Sequence, residues 1–167
     1  MDKQTDRIAM RKQALLSPDR VYRYWLLRQW DDALPMAAII GVNPSTADEE
    51  IDDQTIRKDI GFMRRLGFGG FVKLNLSAFR ARDPKICAAY RNAIDLSNAS
   101  WAIADYARQF KVSKVIAAWG ANGNAFPVQR SAVVEAFDEL WCWGFTADGN
   151  PRHPLMLPYS TPLERFK

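Results

Sequence analysis

Two uninterrupted apolar runs, at residues 36–42 and 115–119, predict buried β-strands, and the mainly apolar segment 71–76 predicts another. Short runs of this kind are typical of strands that are covered on both faces of a parallel sheet. Residues 21–30 alternate instead between large apolar and polar side chains, which predicts a half-exposed antiparallel strand. A short last strand is predicted at 141–145.

Amphipathic segments between these strands predict three helices. Asp52 or Asp53 is a suitable N-cap for the first, and Gly67 ends it. The other two are predicted at 97–110, capped by its first or second residue, and at 128–140.

Alternating strands and helices predict an α/β protein. We expect a three-layer α/β/α sandwich with a mainly parallel central sheet of four to five strands. Residues 1–20 are polar and predict a lead-in segment, helical in one interpretation, before a single domain at 21–167.

Composition excludes several classes of protein and site. The 167-residue chain is 48% hydrophobic and 25% charged, which is typical of a globular protein. It contains two cysteines and one histidine, too few for a disulfide scaffold, a four-thiolate cluster or a two-histidine metal site. We expect no cofactor and no resident metal. No apolar run is long enough to span a membrane and the charged N-terminus is unlike a secretory signal, so the expected location is cytoplasmic.

The charge distribution is uneven although the net charge is only +4. Residues 48–53 include five acids and no base, whereas 54–91 include nine bases and two acids. The basic segment predicts either a surface for phosphate groups or the solvated face of a helix.

Polar side chains follow each predicted strand, at 43–48, 75–80, 119–123 and 149–154. Ligands of open α/β sheets bind beyond the carboxyl ends of the strands, so these segments are expected to meet around one site. Their amide, hydroxyl, indole and imidazole groups suit a flat heterocycle that is hydrogen-bonded and stacked.

Four motifs at these positions carry a resemblance to a known superfamily. They are GVNPS at 41–45, LN at 74–75, AWG at 118–120, and HPL at 153–155 followed by Ser160. In this order they resemble the motifs of the uracil-DNA glycosylase superfamily, in its mismatch-specific and single-strand-selective branches. The whole chain, with NPSTAD and PRHPL, resembles more closely a bacterial and phage family of domains of unknown function.

The resemblance implies hydrolysis of the bond between a sugar and uracil or a modified pyrimidine in DNA. Asn43 would position the attacking water, and His153 would donate a hydrogen bond to the departing base. Asn75 would read the edge of the base, and Phe79, or alternatively Phe62 or Phe68, would stack on it.

Further residues complete the predicted site. Ser45, Thr46 and Trp119 are expected to contact the base, and Leu155, or alternatively Leu157, to fill the gap that the base leaves. The candidates for binding DNA phosphates at the rim are Arg57, Arg80 and Arg152.

Other interpretations remain open. Ser45 stands where the asparagine-type enzymes usually have glycine, and Asp48 is a candidate general base. Asp48, Glu49 and Asp53 would also suit a divalent metal of a nucleotide hydrolase. Such a hydrolase would use residues 120–123 as a phosphate cradle, although the P-loop signature is absent. The remaining hypothesis is a module that binds a nucleobase or nucleotide without cleaving it.

Overall fold

A computed structural model describes residues 9–89 and 102–167. Within them, one sheet of seven strands has the order β1-β2-β4-β3-β5-β6-β7. The strands are β1 (Arg11–Leu16), β2 (Arg23–Gln29), β3 (Met36–Gly41), β4 (Gly70–Asn75), β5 (Lys114–Ala117), β6 (Trp141–Cys142) and β7 (Glu164–Arg165). The helices are α1 (Gln54–Arg65), α2 (Pro84–Ala89), α3 (helical at 102–109) and α4 (Pro127–Ala136), with 3-10 helices at Ala121–Ala125 and Pro154–Met156.

The predicted fold class is wrong. The sheet is mixed and has seven strands with few helices, where a mainly parallel sheet of four to five strands in a three-layer sandwich was expected. The pairs β1–β2, β2–β4 and β6–β7 are antiparallel. β1 and β7 were not predicted because both strands are mostly exposed and neither has an apolar run of strand length or an alternating pattern.

The three segments predicted as buried strands do form strands at the centre of the sheet. β3 lies between β4 and β5 and runs parallel to both. Its side chains alternate between two hydrophobic clusters, with Ala38 and Ile40 in one and Ala37 and Ile39 in the other. Because successive side chains of a strand point to opposite faces, this division shows that both faces of β3 are covered.

Helix α1 begins and ends as its sequence predicts. The side chain of Asp53 accepts a hydrogen bond from the backbone N–H of Ile56 at 2.9 Å, which confirms it as the N-cap. The chain leaves the helix at Gly67, whose φ of +81° is a conformation that glycine adopts readily. The cap is important for the site because it fixes the N-terminus of α1 beside the ends of β3 and β4.

Two other helix predictions differ from the structure. The helix considered within the lead-in is absent from the described residues 9–20, where Arg11–Leu16 instead pairs with β2. The last helix, predicted to residue 140, ends at Ala136. The predicted start of the 97–110 helix lies outside the described residues, and 102–109 is helical.

No helix in the described parts of the chain is long and apolar enough to cross a membrane.

Candidate functional site

A cavity of about 880 Å³ lies at the carboxyl ends of β3 and β4. Its wall combines the loop after β3, the end of β4, the N-terminus of α1, the loop after β5 and the segment around His153. The predicted site residues that line it are Asn43, Ser45, Thr46, Arg57, Asn75, Trp119, His153 and Leu155. Residues from five distant parts of the sequence therefore meet around one space.

His153 lines this cavity as a neutral imidazole. Burial, assisted by the positive charge of Lys73, lowers its pKa to about 4. Its Nδ1 accepts a hydrogen bond from the backbone N–H of Leu155 at 3.3 Å. A neutral ring that accepts at Nδ1 carries its proton on Nε2, so His153 is a hydrogen-bond donor at neutral pH.

Asn43 is held by its amide nitrogen. Nδ2 donates to the carbonyl oxygens of Pro44 at 3.0 Å and Ala81 at 2.8 Å. Both amide protons are thereby engaged, and no described residue donates to Oδ1. The side chain is thus fixed with an acceptor remaining for a water or a ligand.

Asn75, at the end of β4, presents an unused donor. It is 5% exposed, and its Nδ2 is buried without a hydrogen-bond partner. Buried polar groups of native proteins are nearly always paired, so this amide is suited to an acceptor atom of a ligand. The backbone of Gly41 lies close to this side chain, because a Cβ added at Gly41 would be 3.0 Å from Asn75 Oδ1.

A buried ion pair between Lys73 and Asp59 lies at the cavity. Lys73 of β4 lines the cavity, and its Nζ donates to Asp59 Oδ2 of α1 at 2.8 Å. Both side chains are buried, and burial raises the pKa of Asp59. The ammonium contributes positive potential to the same cavity that holds His153.

Trp119 supports one wall of the cavity. The ring is 2% exposed, and its Nε1 lies 3.3 Å from the accepting Oδ1 of Asn150. A Cβ at Gly123 would come within 2.2 Å of the indole, so this glycine makes room for it. The side chain is largely part of the core that shapes the cavity.

Asp48 is not among the residues that line the cavity. Its Oδ1 accepts from the backbone N–H groups of Glu50 and Ile51, and its Oδ2 lies 3.3 Å from Arg20 Nη2. These backbone hydrogen bonds and Arg20 lower its pKa against the opposing effect of burial. The structure thus uses Asp48 to order its own loop.

The acidic stretch supplies two other carboxylates to the cavity wall, Asp52 and Asp53. Asp52 is paired with Arg28 and Lys12. Asp53 caps α1 through Oδ1, and none of the described residues donates to its Oδ2. Asp53 is therefore the carboxylate with an oxygen left for a ligand or a water.

Three further predicted residues lie away from the cavity wall. Phe79 packs edge-on against Tyr22, with ring centroids 5.9 Å apart. Arg80 donates to the backbone carbonyls of Arg20, Ser45 and Thr46. Arg152 is exposed. Of the alternatives for stacking and wedging, Phe62, Phe68 and Leu157 are buried in the core.

Two buried basic residues that line the cavity were not predicted, Arg23 and Lys73, of which Lys73 is paired with Asp59. The signal that was available is a lysine inside a strand whose residues are all buried, since lysine is almost never fully buried unless it is paired. Arg82, at the exposed part of the wall, was also missed.

No cluster of three or more metal-binding side chains occurs in the described segments. The proposed carboxylate set is divided, because Asp48 and Glu49 face Arg20 whereas Asp53 caps α1.

A model of a protein family matches residues 23–155, and its description is a protein of unknown function, DUF1643. The chain belongs to this family. The DUF1643 match begins at Arg23 and ends at Leu155, so every residue that lines the cavity lies within it. The expected membership in a family of unknown function is confirmed, whereas the resemblance to glycosylases stays a prediction. No curated protein and no solved structure matches the chain.

Proposed function

We propose that this protein binds a nucleobase in the cavity and hydrolyses the N-glycosidic bond that joins it to a deoxyribose, the base being uracil or a modified pyrimidine of DNA. One observation carries the proposal. Asn43, Asn75 and a neutral His153 with its proton on Nε2 line the same cavity, and each has an atom left for a ligand.

Two of these atoms are donors, and their chemistry suits the departing base. When the bond breaks, its electron pair stays on the base and negative charge develops on the carbonyl oxygens. His153 donates through Nε2–H to one such oxygen, and Asn75 donates through Nδ2 to another acceptor on the base edge. Lys73 lines the same cavity, and its positive charge helps to keep His153 neutral.

Water completes the reaction at the sugar. Asn43 Oδ1 accepts a hydrogen bond from a water, whose oxygen forms the new bond to C1′ of the oxocarbenium-like sugar. The proton that this water releases passes to Asp53, which takes the role predicted for Asp48. A strong base is unnecessary because the electrophile is already cationic.

The resemblance to the uracil-DNA glycosylase superfamily supports this proposal through Asn43, Asn75 and His153 and not through the fold. Arg57 and Arg82, both exposed at the cavity wall, would contact the DNA backbone. A protein with this role would act in the cytoplasm without a cofactor.

The test is release of bases from oligonucleotides. Single- and double-stranded DNA that contains uracil or modified pyrimidines is incubated with the wild type and with Asn43→Ala. We expect abasic sites with the wild type. The rate of base release by the variant should be lower by about 10²-fold or more. The matched control is Arg165→Met, which removes an exposed arginine paired with Glu139. Binding of a base without its release by the wild type would favour the alternative, a non-catalytic nucleobase-binding module.

A further inference from the structure

Strand β2 contains two buried arginines, one with a polar partner for each guanidinium nitrogen and one without. Arg28 is 0% exposed and fully engaged. Its Nε donates to Asp52 Oδ1 at 2.6 Å, its Nη1 to Leu27 O at 2.8 Å, and its Nη2 to Asp48 O at 2.6 Å. This is how a buried guanidinium is normally accommodated, with a counter-ion and a partner for each nitrogen.

Arg23 is buried without such partners. It is 2% exposed, and the one hydrogen bond that its guanidinium makes within the described residues runs from Nη1 to Ala47 O at 2.7 Å. Its Nε is buried and unpartnered, and it forms no ion pair with any described residue. Burial lowers its pKa to about 10, although Asp53 acts in the opposite direction.

An unpaired buried charge is unfavourable for the folded chain, so its presence requires a reason. Arg23 lines the same cavity as Lys73 and Asn75. The unused donors of Arg23 and Asn75 lie at this cavity, and Lys73 is paired with Asp59. Arg23 is therefore a buried positive charge without a counter-ion among the described residues. Of the carboxylates on this wall, Asp52 is paired elsewhere, which leaves Asp53 as the opposing charge.

We propose that Arg23 binds an anionic oxygen group of the ligand, either a carboxylate or a phosphate, at the wall of the cavity. Nη1 is engaged with Ala47, which leaves Nε and Nη2 as the guanidinium nitrogens for the ligand. The edge formed by these two nitrogens has the spacing that carboxylate and phosphate oxygens accept in pairs. The inference rests on the proposed function only in taking the ligand to be a nucleobase derivative.

The size of the cavity agrees with a ligand larger than a bare base. Its volume of about 880 Å³ lies in the upper part of the range that holds drug-sized molecules. Two sources of the anion fit this chemistry. One is the phosphate of a nucleotide, and the other is an acidic substituent on the base itself.

The first experiment uses inorganic phosphate as the probe and the thermal melting of the full chain as the readout. Phosphate, compared with chloride at equal ionic strength, is expected to raise the Tm of the wild type by about 2 °C or more. Arg23→Met should lose this shift, whereas the control Arg165→Met should keep it. A shift that Arg23→Met retains, or no shift in the wild type, would overturn the proposal.

The second experiment separates the two sources by equilibrium binding to the wild type. Deoxyuridine 5′-monophosphate is compared with deoxyuridine, and 5-carboxyuracil with uracil. Preference for the anionic member of one pair by about tenfold or more supports the proposal and identifies the source. Equal affinities within both pairs would contradict it.

Neither experiment depends on catalysis, so failure to release a base would leave both results unaffected. The binding experiment needs no variant. It therefore tests the preference for an anionic ligand even if Arg23→Met does not fold. Arg23→Lys adds a further check, because lysine keeps the charge but not the paired donors. It should bind the preferred anion more weakly than the wild type, and unchanged affinity would count against the paired contact.

Discussion

The Nδ1 atom of His153 accepts a hydrogen bond from the backbone N–H of Leu155, 3.3 Å away. This contact caps the 3-10 helix Pro154–Met156 and determines which ring nitrogen carries the proton. The same turn therefore stabilises the loop and orients the donor of the proposed site.

Protonation of His153 should weaken the fold in mild acid. Burial depresses its pKa from 6.5 to about 4, so the unfolded chain binds more protons between these values. The stability that this imidazole contributes is complete above pH 6.5 and is lost as the pH falls toward 4. Urea denaturation of the wild type and His153→Asn should show a difference in unfolding free energy that falls over this window. A difference independent of pH would contradict the depressed pKa.

The Lys73–Asp59 pair should be sensitive to loss of one member. Lys73→Met leaves Asp59, which is 0% exposed, without its counter-ion, and we expect a loss of about 3–5 kcal/mol in unfolding free energy. The double variant Lys73→Met/Asp59→Leu should recover much of that loss.

The control for this pair is Lys12→Met. Lys12 is partly exposed and paired with Asp52, so its removal should cost less than about 1 kcal/mol in denaturant unfolding. Equal losses of unfolding free energy for Lys12→Met and Lys73→Met would show that the buried pair contributes no more to stability than the exposed pair.

Local signals predicted the centre of the sheet and the cap of α1 correctly. The apolar run at β3 and the acid before α1 each depend on a few neighbouring residues, which is why they can be identified from sequence. β1 pairs with β2, the next strand along the chain, and β7 pairs with β6, and both edge strands are mostly exposed. Their place in the sheet depends on the partner strand, which the short pattern of their own residues does not encode.

The residues of the site also divide into those that local patterns indicate and those that they do not. Asn43, Asn75 and His153 follow or flank regular elements, and all three line one cavity, where the rule about strand ends predicts a common site. The rule does not indicate side-chain direction, and Phe79 and Asp48, which also follow predicted strands, do not line the cavity. Arg23 was missed because its lack of partners is visible only in three dimensions.

Asn75→Leu should preserve the free protein and impair binding. The amide nitrogen is buried without a partner, so an apolar side chain of similar shape should change the unfolding free energy by no more than about 1 kcal/mol. Affinity for deoxyuridine, measured by titration, should fall because the donor to the base is gone. Unchanged affinity would remove Asn75 from the proposed site.

Asp53 can be tested as a base separately from its role as a cap. Asparagine is as good an N-cap as aspartate, so Asp53→Asn should melt near the wild-type temperature but release the base about 10²-fold more slowly. Asp53→Ala should in addition lose about 1 kcal/mol of stability with the cap. Wild-type activity in Asp53→Asn would limit this carboxylate to capping α1.

The most direct test of the account is the single-turnover rate of base release by His153→Asn. Asparagine can still accept from the backbone N–H of Leu155 but lacks a donor at the position of Nε2. We predict a folded protein whose rate is lower than that of the wild type by about 10²–10³-fold. A rate equal to that of the wild type would contradict the central role of the His153 donor, and so would a wild type that releases no base at all.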